Sequence, residues 1–520
     1  MIRKLIESLL EAAAYPEPTA TVSLTETHVS YILLTDHFAY KIKKPVDFGF
    51  LNFTTLDLRR FYCQEEVRLN RRLCPEIYLG VVELRETQQG GSFAPGEGPV
   101  IDYAVKMKRL PEERMLARLL ELGEVGPAQM RQIALLIADF HAQADRGPQI
   151  DACGSAAAIR ANWQENFSQV APFLGETITA IDLALLRDWV ERFLSRHEDL
   201  LRARVEGGFI RECDGDLHLD NICLDDRIYI FDCIEFNESF RYIDTAADIA
   251  FLLMDLEYAG RPELCPPFLE AYQGSSGDLG LNALLGFYRG YRAFVRGKVK
   301  SFLLREAELS PRQLTQAKAS AVRYFRLARG YALREILAPA LIVTCGLMGS
   351  GKSAMARELA FELGLSLTRS DFVRKRLARR PATGGGAYGY DQGIYRASFN
   401  QATYQALFLE AELSLSQGRS VIVDATFRRA SDRASFGALA QRLGVRFFVI
   451  ETHCPEALIR ERLEKRCLEA GELSDGRWEL FPKQACEFEP PALGESIVVD
   501  SSQPLAAAVD QALKGMGLLP

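Results

Sequence analysis

"DGDLHLDN", Asp214 to Asn221, packs three acidic residues, one histidine and one asparagine into eight positions. Such a stretch is either a solvated acidic turn or a loop that handles protons and cations. Its internal spacing favours the second. Asp216 and Asn221 are five residues apart, so one loop offers a carboxylate to orient and accept the proton of an attacking hydroxyl and a side-chain oxygen to hold Mg²⁺. A metal that bridges phosphates needs a further hard oxygen ligand. "RIYIFDCIEF" supplies one at Asp232, after an apolar run that reads as a buried strand, and the intervening "ICLDDR" suits a strand and a tight turn.

Working upstream, the same chemistry requires a cation for the α- and β-phosphates and a helix carboxylate to fix it. "FAYKIKK" offers Lys41 and Lys43, which share one strand face because side chains alternate with period two. Lys41 is the preferred reading, with Lys43 left open. In the following helix "FYCQEEVRLNRRL", Glu66 is preferred over Glu65. Short β-like runs, "VSYILL", "FAYKIK", "LGVVEL" and "IDYAVKMKRL", precede long helical patterns from Glu112 to Leu201. That order predicts a two-lobed α+β domain with its cleft between lobes. Gln88 to Pro99 reads as a hairpin loop, and the phosphate-covering loop is expected around Thr25 to Ser30.

A second phosphate-handling stretch, "GLMGSGKS", lies at Gly346 to Ser353. It satisfies G-x-x-x-x-G-K-[ST] between a buried strand, "ALIVTC", and an amphipathic helix, "SAMARELAFELG". Gly346, Gly349 and Gly351 let backbone N–H groups point at phosphates, Lys352 would hold the β- and γ-phosphates, and Ser353 would ligate Mg²⁺. "RSVIVDATF" is a buried strand ending in Asp424, where a second Mg²⁺-side carboxylate belongs. Asp371 precedes Arg374, Lys375 and Arg376, an arrangement suited to an acceptor hydroxyl on a molecule that carries a phosphate or carboxylate. Arg462 and Arg466 share one helix face, from which a lid could close on the transferring group. Helical sequence from Ser310 to Leu337, closed by "APA", divides the chain into domains 1–337 and 338–520.

Composition excludes several classes. With 520 residues, 48% hydrophobic and 25% charged, the chain reads as globular, and its net charge of −7 argues against a nucleic-acid partner. The eleven cysteines show no C-x-x-C pair and no zinc spacing, so free thiols in the cytoplasm are expected. The most apolar interior run, "TAADIAFLLMDLEYAG", carries Asp248, Asp255 and Glu257 and is too short to span a bilayer.

"RECDGDLHLDNICL" together with "IFDCIEFNESFRYIDTAADIAFL" resembles the aminoglycoside phosphotransferase family of small-molecule kinases, over residues 20 to 330. The resemblance implies that His218 sits near the γ-phosphate, that Asp248 anchors the catalytic loop, and that Met107 lies in the hinge beside the adenine. The chain departs from the family's His-Gly-Asp by placing Asp214 where the histidine stands. Residues 340 to 515 resemble small P-loop kinases of the gluconate kinase, zeta-toxin and polynucleotide kinase types, carried by "SDFVRKRL", "VIVDATF" and "SDGRWELFPKQ". In those relatives the acid matching Asp371 often activates the acceptor. The expected fold is a bilobal protein-kinase-like α+β domain followed by an α/β P-loop domain with a mainly parallel sheet. The expected function is ATP-dependent, Mg²⁺-assisted transfer to hydroxyls of small molecules. Two alternatives stand beside it: a P-loop kinase or ATPase regulated by a non-catalytic kinase-like sensor, and a nucleotide or nucleic-acid 5′-hydroxyl kinase.

Overall fold

The computed structural model describes residues 2–49, 51–88, 90–306, 309–378, 396–466 and 477–520. Two compact units emerge, Met1–Phe325 and Arg326–Pro520. The first is a bilobal kinase-like α+β fold and the second an α/β P-loop fold.

The first unit opens with a six-stranded antiparallel sheet: β1 (Ser23–Glu26), β2 (Ser30–Leu34), β3 (Phe38–Lys43), β4 (Tyr78–Thr87), β5 (Gly90–Ser92) and β6 (Val100–Lys108), in the order β1-β2-β3-β6-β4-β5. Strand alternation explains its two faces. Tyr40 and Ile42 pack with Leu33, Leu84, Phe93 and Ala104 against Ile6, Leu9 and Tyr15 of the N-terminal segment. Lys41 and Lys43, which alternate with them in sequence, face the other way. The helix Leu56–Asn70, N-capped by Thr55, covers that second face through Cys63 and Val67. The expected loop at Gln88–Pro99 contains β5, which pairs back onto β4. After β6 the chain is mainly helical, interrupted by two small antiparallel pairs: β7 (Ile210–Glu212) with β10 (Tyr242–Asp244), and β8 (Ile222–Leu224) with β9 (Ile228–Ile230).

The second unit holds a five-stranded parallel sheet of β11 (Ala340–Cys345), β12 (Ser366–Arg369), β13 (Val421–Asp424), β14 (Arg446–His453) and β15 (Ile497–Asp500), ordered β12-β13-β11-β14-β15. Every residue of β11 and β13 is buried, as a sheet covered on both faces requires.

The division between units falls inside the helix Pro311–Ile336, upstream of its "APA" terminus. The last turns carry Arg326 and Arg329 into buried ion pairs with Glu362, the Arg329 contact being 2.6 Å. Gly330 lies against the Glu362 backbone, where an added Cβ would come within 1.9 Å of the carbonyl oxygen. The sequence punctuation marks where the helix stops, whereas packing changes earlier. Among the described residues no helix is long and apolar enough to cross a membrane.

Gly330→Ala therefore forces one backbone away from another, and we expect it to destabilise the second unit by about 2 kcal/mol in urea unfolding. An unchanged midpoint would mean that the helix end is not held there.

Candidate functional site

In the first unit, β3 and the helix Leu56–Asn70 bring the two lysines onto one carboxylate. Glu66 Oε1 lies 2.9 Å from Lys41 Nζ, and Oε2 lies 2.6 Å from Lys43 Nζ. Lys41 also pairs with Asp232, and Lys43 with Glu235. Lys41 is thus the lysine joined to the expected metal-side acid, while Lys43 closes a second pair. Glu65 points elsewhere and pairs with Arg68 at 2.9 Å. Burial alone would raise the Glu66 pKa, but the two ammonium groups hold it down to about 2. Burial likewise opposes charge on Lys41, yet Asp232 and Glu66 keep its pKa well above the usual lysine value. At Glu235 burial wins over Lys43, and the pKa is raised.

Asp232 follows β9 in the left-handed region, with φ of 66°, a conformation non-glycine residues adopt at a cost. Its N–H donates to the Tyr78 hydroxyl at 3.1 Å, and its side chain is 42% exposed, the open end of an otherwise buried chain of charges. The segments flanking Asp232 are stitched to the "DGDLHLDN" loop: the Phe231 N–H donates to the Asn221 carbonyl at 3.1 Å, and the Ile234 N–H to the Asp214 carbonyl at 3.3 Å.

Within that loop the Asn221 amide donates to the Asp216 carbonyl at 3.1 Å and to its carboxylate at 3.3 Å. His218 Nε2 lies 3.4 Å from the same carboxylate, and Nδ1 accepts the Asp220 N–H at 3.2 Å. With Nδ1 accepting, Nε2 carries the proton toward Asp216. Burial raises the Asp216 pKa, but His218 outweighs it and the net shift is downward; at His218 burial lowers the pKa and Asp216 outweighs it, so the imidazole stays protonated to higher pH than usual. Met107, half-buried on β6, is paired in register with Tyr78 of β4 and Ala39 of β3.

Asp214 is the departure noted in the sequence, and its surroundings explain how the loop tolerates it. Asp248, from the helix Thr245–Tyr258, accepts the N–H groups of Gly215 at 2.8 Å and of Asp214 at 3.2 Å. An imidazole still braces this carboxylate, but it is His141 of the helix Pro127–Gln143, with Nε2 3.0 Å from Asp248 and Nδ1 2.8 Å from the Tyr272 hydroxyl. Asp214 itself is 1% exposed; burial, then the charges of Asp248 and Asp216, push its pKa well up. Of the two neighbouring acids it is the one on which burial and like charge favour the proton, since Asp248 is shifted the other way.

In the second unit, the C-terminal ends of β11, β12 and β13 converge, the usual place for ligands in parallel sheets. Gly346, Gly349 and Gly351 all have positive φ, and a Cβ on Gly346 would come within 2.9 Å of the Thr452 carbonyl. Lys352 Nζ donates to the Leu347 carbonyl at 2.6 Å, and Ser353 is half-buried in the first turn of the helix Lys352–Leu363. Asp424 accepts from the Thr344 hydroxyl at 3.1 Å and lies 3.5 Å from Arg369. Arg369 is in register with Asp424, and Asp371 follows two residues on, in the first turn of the helix Ser370–Leu377. Arg374 pairs with Asp371 at 3.3 Å and donates to Asn400 at 2.9 Å. Arg462 is engaged at the P-loop, donating to the carbonyls of Gly349 at 3.4 Å and Ser501 at 2.6 Å. The side chain of Arg466 lies outside the described residues.

Sequence reasoning missed Glu235, His141 and Gln484, whose side-chain oxygen accepts the Met348 N–H of the P-loop at 2.7 Å. Glu235 stands three residues after Asp232 and was open to notice, Gln484 closes the quoted stretch "SDGRWELFPKQ", and His141 carries no local signal.

A family model described as an AAA domain matches residues 341–491. Over 492 residues the chain is 32% identical to the uncharacterized protein Rv2004c of Mycobacterium tuberculosis and to the uncharacterized protein Mb2027c of Mycobacterium bovis, with 94% of each chain covered. The chain belongs to their family. Among solved structures, a gluconokinase from Sinorhizobium meliloti 1021 aligns with 35% of this member of the family and 93% of its own chain, at 22% identity and a TM-score of 0.26. The GDP complex of an aminoglycoside 2′-phosphotransferase-IIIa aligns with 62% and 98%, at 13% identity and 0.39.

The upward shift at Asp214 sets a stability test. A carboxyl with a raised folded pKa is ionised more readily when unfolded, so it weakens the fold progressively as pH rises above the ordinary carboxylate range. We expect Asp214→Asn to raise the urea midpoint of the first unit at neutral pH, with the gain fading toward about pH 4. His141→Phe, which strands the Asp248 charge, should instead cost about 3 kcal/mol. An Asp214→Asn variant less stable than wild type at neutral pH would contradict the assignment.

Proposed function

We propose that the protein is an ATP-dependent, Mg²⁺-assisted phosphotransferase with two working sites, each directing a small-molecule hydroxyl at the γ-phosphate of ATP. The observation that carries the reading is Lys41, joined at once to Glu66 and Asp232, two acids from separate segments, beside a loop in which Asn221 is bonded to Asp216.

In the first unit Asp216, kept ionised by His218, accepts the proton as the acceptor oxygen bonds to the γ-phosphorus and the bond to the β-phosphate oxygen breaks, releasing ADP. Lys41 holds the α- and β-phosphates, Met107 borders the adenine, and His218 turns its Nε2 N–H toward Asp216 near the γ-phosphate. The donor set fits Mg²⁺: a half-exposed Asp232 carboxylate and the Asn221 side chain are hard oxygen donors on adjoining segments. When bound there, the ion neutralises phosphate charge. In the second unit Lys352 holds the β- and γ-phosphates, Ser353 and Asp424 stand on the metal side, and Asp371 takes the acceptor proton. Arg462, already on the P-loop, lies where charge on the transferring group develops.

Asp214 does not weigh toward a non-catalytic first unit, because His141 supplies the imidazole that the loop lacks. The ten described cysteines are free thiols, in keeping with a reducing cytosol.

The test is ³¹P NMR of ATP incubated with cytosolic small metabolites and wild type, Asp216→Asn or Lys352→Ala. Each variant should suppress a different phosphorylated product or step by roughly 10²–10⁴-fold. Products unchanged in Asp216→Asn would remove catalysis from the first unit.

A further inference from the structure

The helix Leu281–Phe302 carries Arg292, Arg296 and Lys300 at intervals of four, one stripe of three cations on a single face. Each meets the "DGDLHLDN" loop or its supports differently. Arg292 is buried and structural, donating to the Gly215 carbonyl at 2.9 Å and the Ala247 carbonyl at 3.2 Å. Arg296 is 19% exposed, lies 3.9 Å from the Asp220 carboxylate, donates to the Tyr324 hydroxyl at 3.4 Å, and is close enough to Asp216 and His218 to act on both charges. Lys300 is half-buried and makes no hydrogen bond or ion pair among the described residues.

Lys298 on the same helix shows what a buried lysine without a carboxylate ordinarily does. Its ammonium is held by the side-chain oxygens of Asn166 and Gln169, each at 2.6 Å. Lys300 has no such acceptors. The acids nearest to it are spoken for: Asp255, 5% exposed, accepts the Leu219 N–H at 3.2 Å and the Tyr324 hydroxyl at 3.3 Å, and Asp220 is largely in solvent beside Arg296. Burial and the neighbouring guanidinium both work against the Lys300 charge, lowering its pKa. A half-buried ammonium next to a guanidinium is a poor arrangement in isolation and a good one once an anion arrives.

We propose that Arg296 and Lys300 form an anion subsite beside Asp216, so that the acceptor of the first unit is a hydroxyl compound bearing a phosphate or carboxylate and not a cationic amino sugar. This rests on the reading of the first unit as a kinase. The stripe lies on the helix that braces the loop through Arg292, so an anion held by its next two turns would present its hydroxyl toward the Asp216 carboxylate. A positively charged acceptor would meet Arg296 and Lys300 as like charges, and lose affinity accordingly.

The experiment uses the full chain carrying Lys352→Ala, which silences phosphate binding at the P-loop. Titration calorimetry with 3-phosphoglycerate and with kanamycin is run on that background alone and with Lys300→Gln, Lys300→Arg and Asp216→Asn added, alongside ATP-dependent phosphorylation of each compound. Binding of 3-phosphoglycerate, roughly tenfold weaker with Lys300→Gln and recovered with Lys300→Arg, is the expected result. Because Lys300 makes no hydrogen bond or ion pair among the described residues, Lys300→Gln should fold as wild type, which its unfolding midpoint checks. Kanamycin binding, or anion binding indifferent to Lys300→Gln, overturns the proposal. Transfer that depends on Asp216 but runs to kanamycin sinks the anion subsite and leaves the kinase; Lys300-dependent anion binding with no transfer in any variant keeps the subsite and sinks the kinase.

Discussion

Five ionic side chains in the first unit, Lys41, Lys43, Glu66, Glu235 and Asp232, form one chain of alternating charge, and the arrangement of the small lobe depends on it. Taken singly, none of the four buried members belongs in an interior, since removing a charge from water costs several kcal/mol even after relaxation. Together they are tolerable because each carboxylate oxygen of Glu66 has its own ammonium. The alternation also allocates the surplus. With two cations and three acids the chain carries one excess negative charge, and the member that reaches solvent is Asp232. Negative charge is therefore displayed where a cation could meet it and neutralised everywhere else. The opposite face of β3 needs no such device, because Tyr40 and Ile42 close it with aromatic and aliphatic contacts.

The second unit reaches a phosphate-binding surface by other means. Its loop relies on backbone amides, so shape must be held by groups that do not compete for those amides. Glycines set the turns, Arg462 takes the Gly349 and Ser501 carbonyls, and the Ser501 hydroxyl takes the Ser350 carbonyl at 2.6 Å. Gln484 is the exception, because it occupies the Met348 N–H. Side-chain charge organises the first site and backbone geometry the second, which is why the two read so differently in sequence.

That difference also decides how much was legible. The glycine turn between a buried strand and a helix is local, so Gly346 to Ser353 could be read directly. Asp216, Asn221 and Asp232 were legible because one loop and one following strand carry them at fixed intervals. Choosing Lys41 over Lys43 was beyond period-two reasoning: both share a face, both reach Glu66, and only the distant Asp232 and Glu235 distinguish them. The division inside Pro311–Ile336 was hidden for a related reason. A continuous helical pattern reports backbone geometry, and says nothing about which side chains have changed neighbours.

His141 shows most clearly how a motif position can change while an imidazole–carboxylate contact is made from elsewhere. The loop needs an imidazole against the carboxylate that accepts the Asp214 and Gly215 N–H groups, since a buried acid with backbone donors alone keeps part of its desolvation penalty. Nothing requires that imidazole to come from the loop. Supplied from the helix Pro127–Gln143 and fixed on its far side by Tyr272, it frees position 214 for a small polar residue, and Asp214 meets that need because its Oδ1 accepts the Asp216 N–H at 3.1 Å. The like-charge repulsion between Asp214 and Asp248 is eased because their pKa values move in opposite directions, up at Asp214 and down at Asp248. The carboxylate that accepts the loop's N–H groups is thus held by an imidazole from outside the loop.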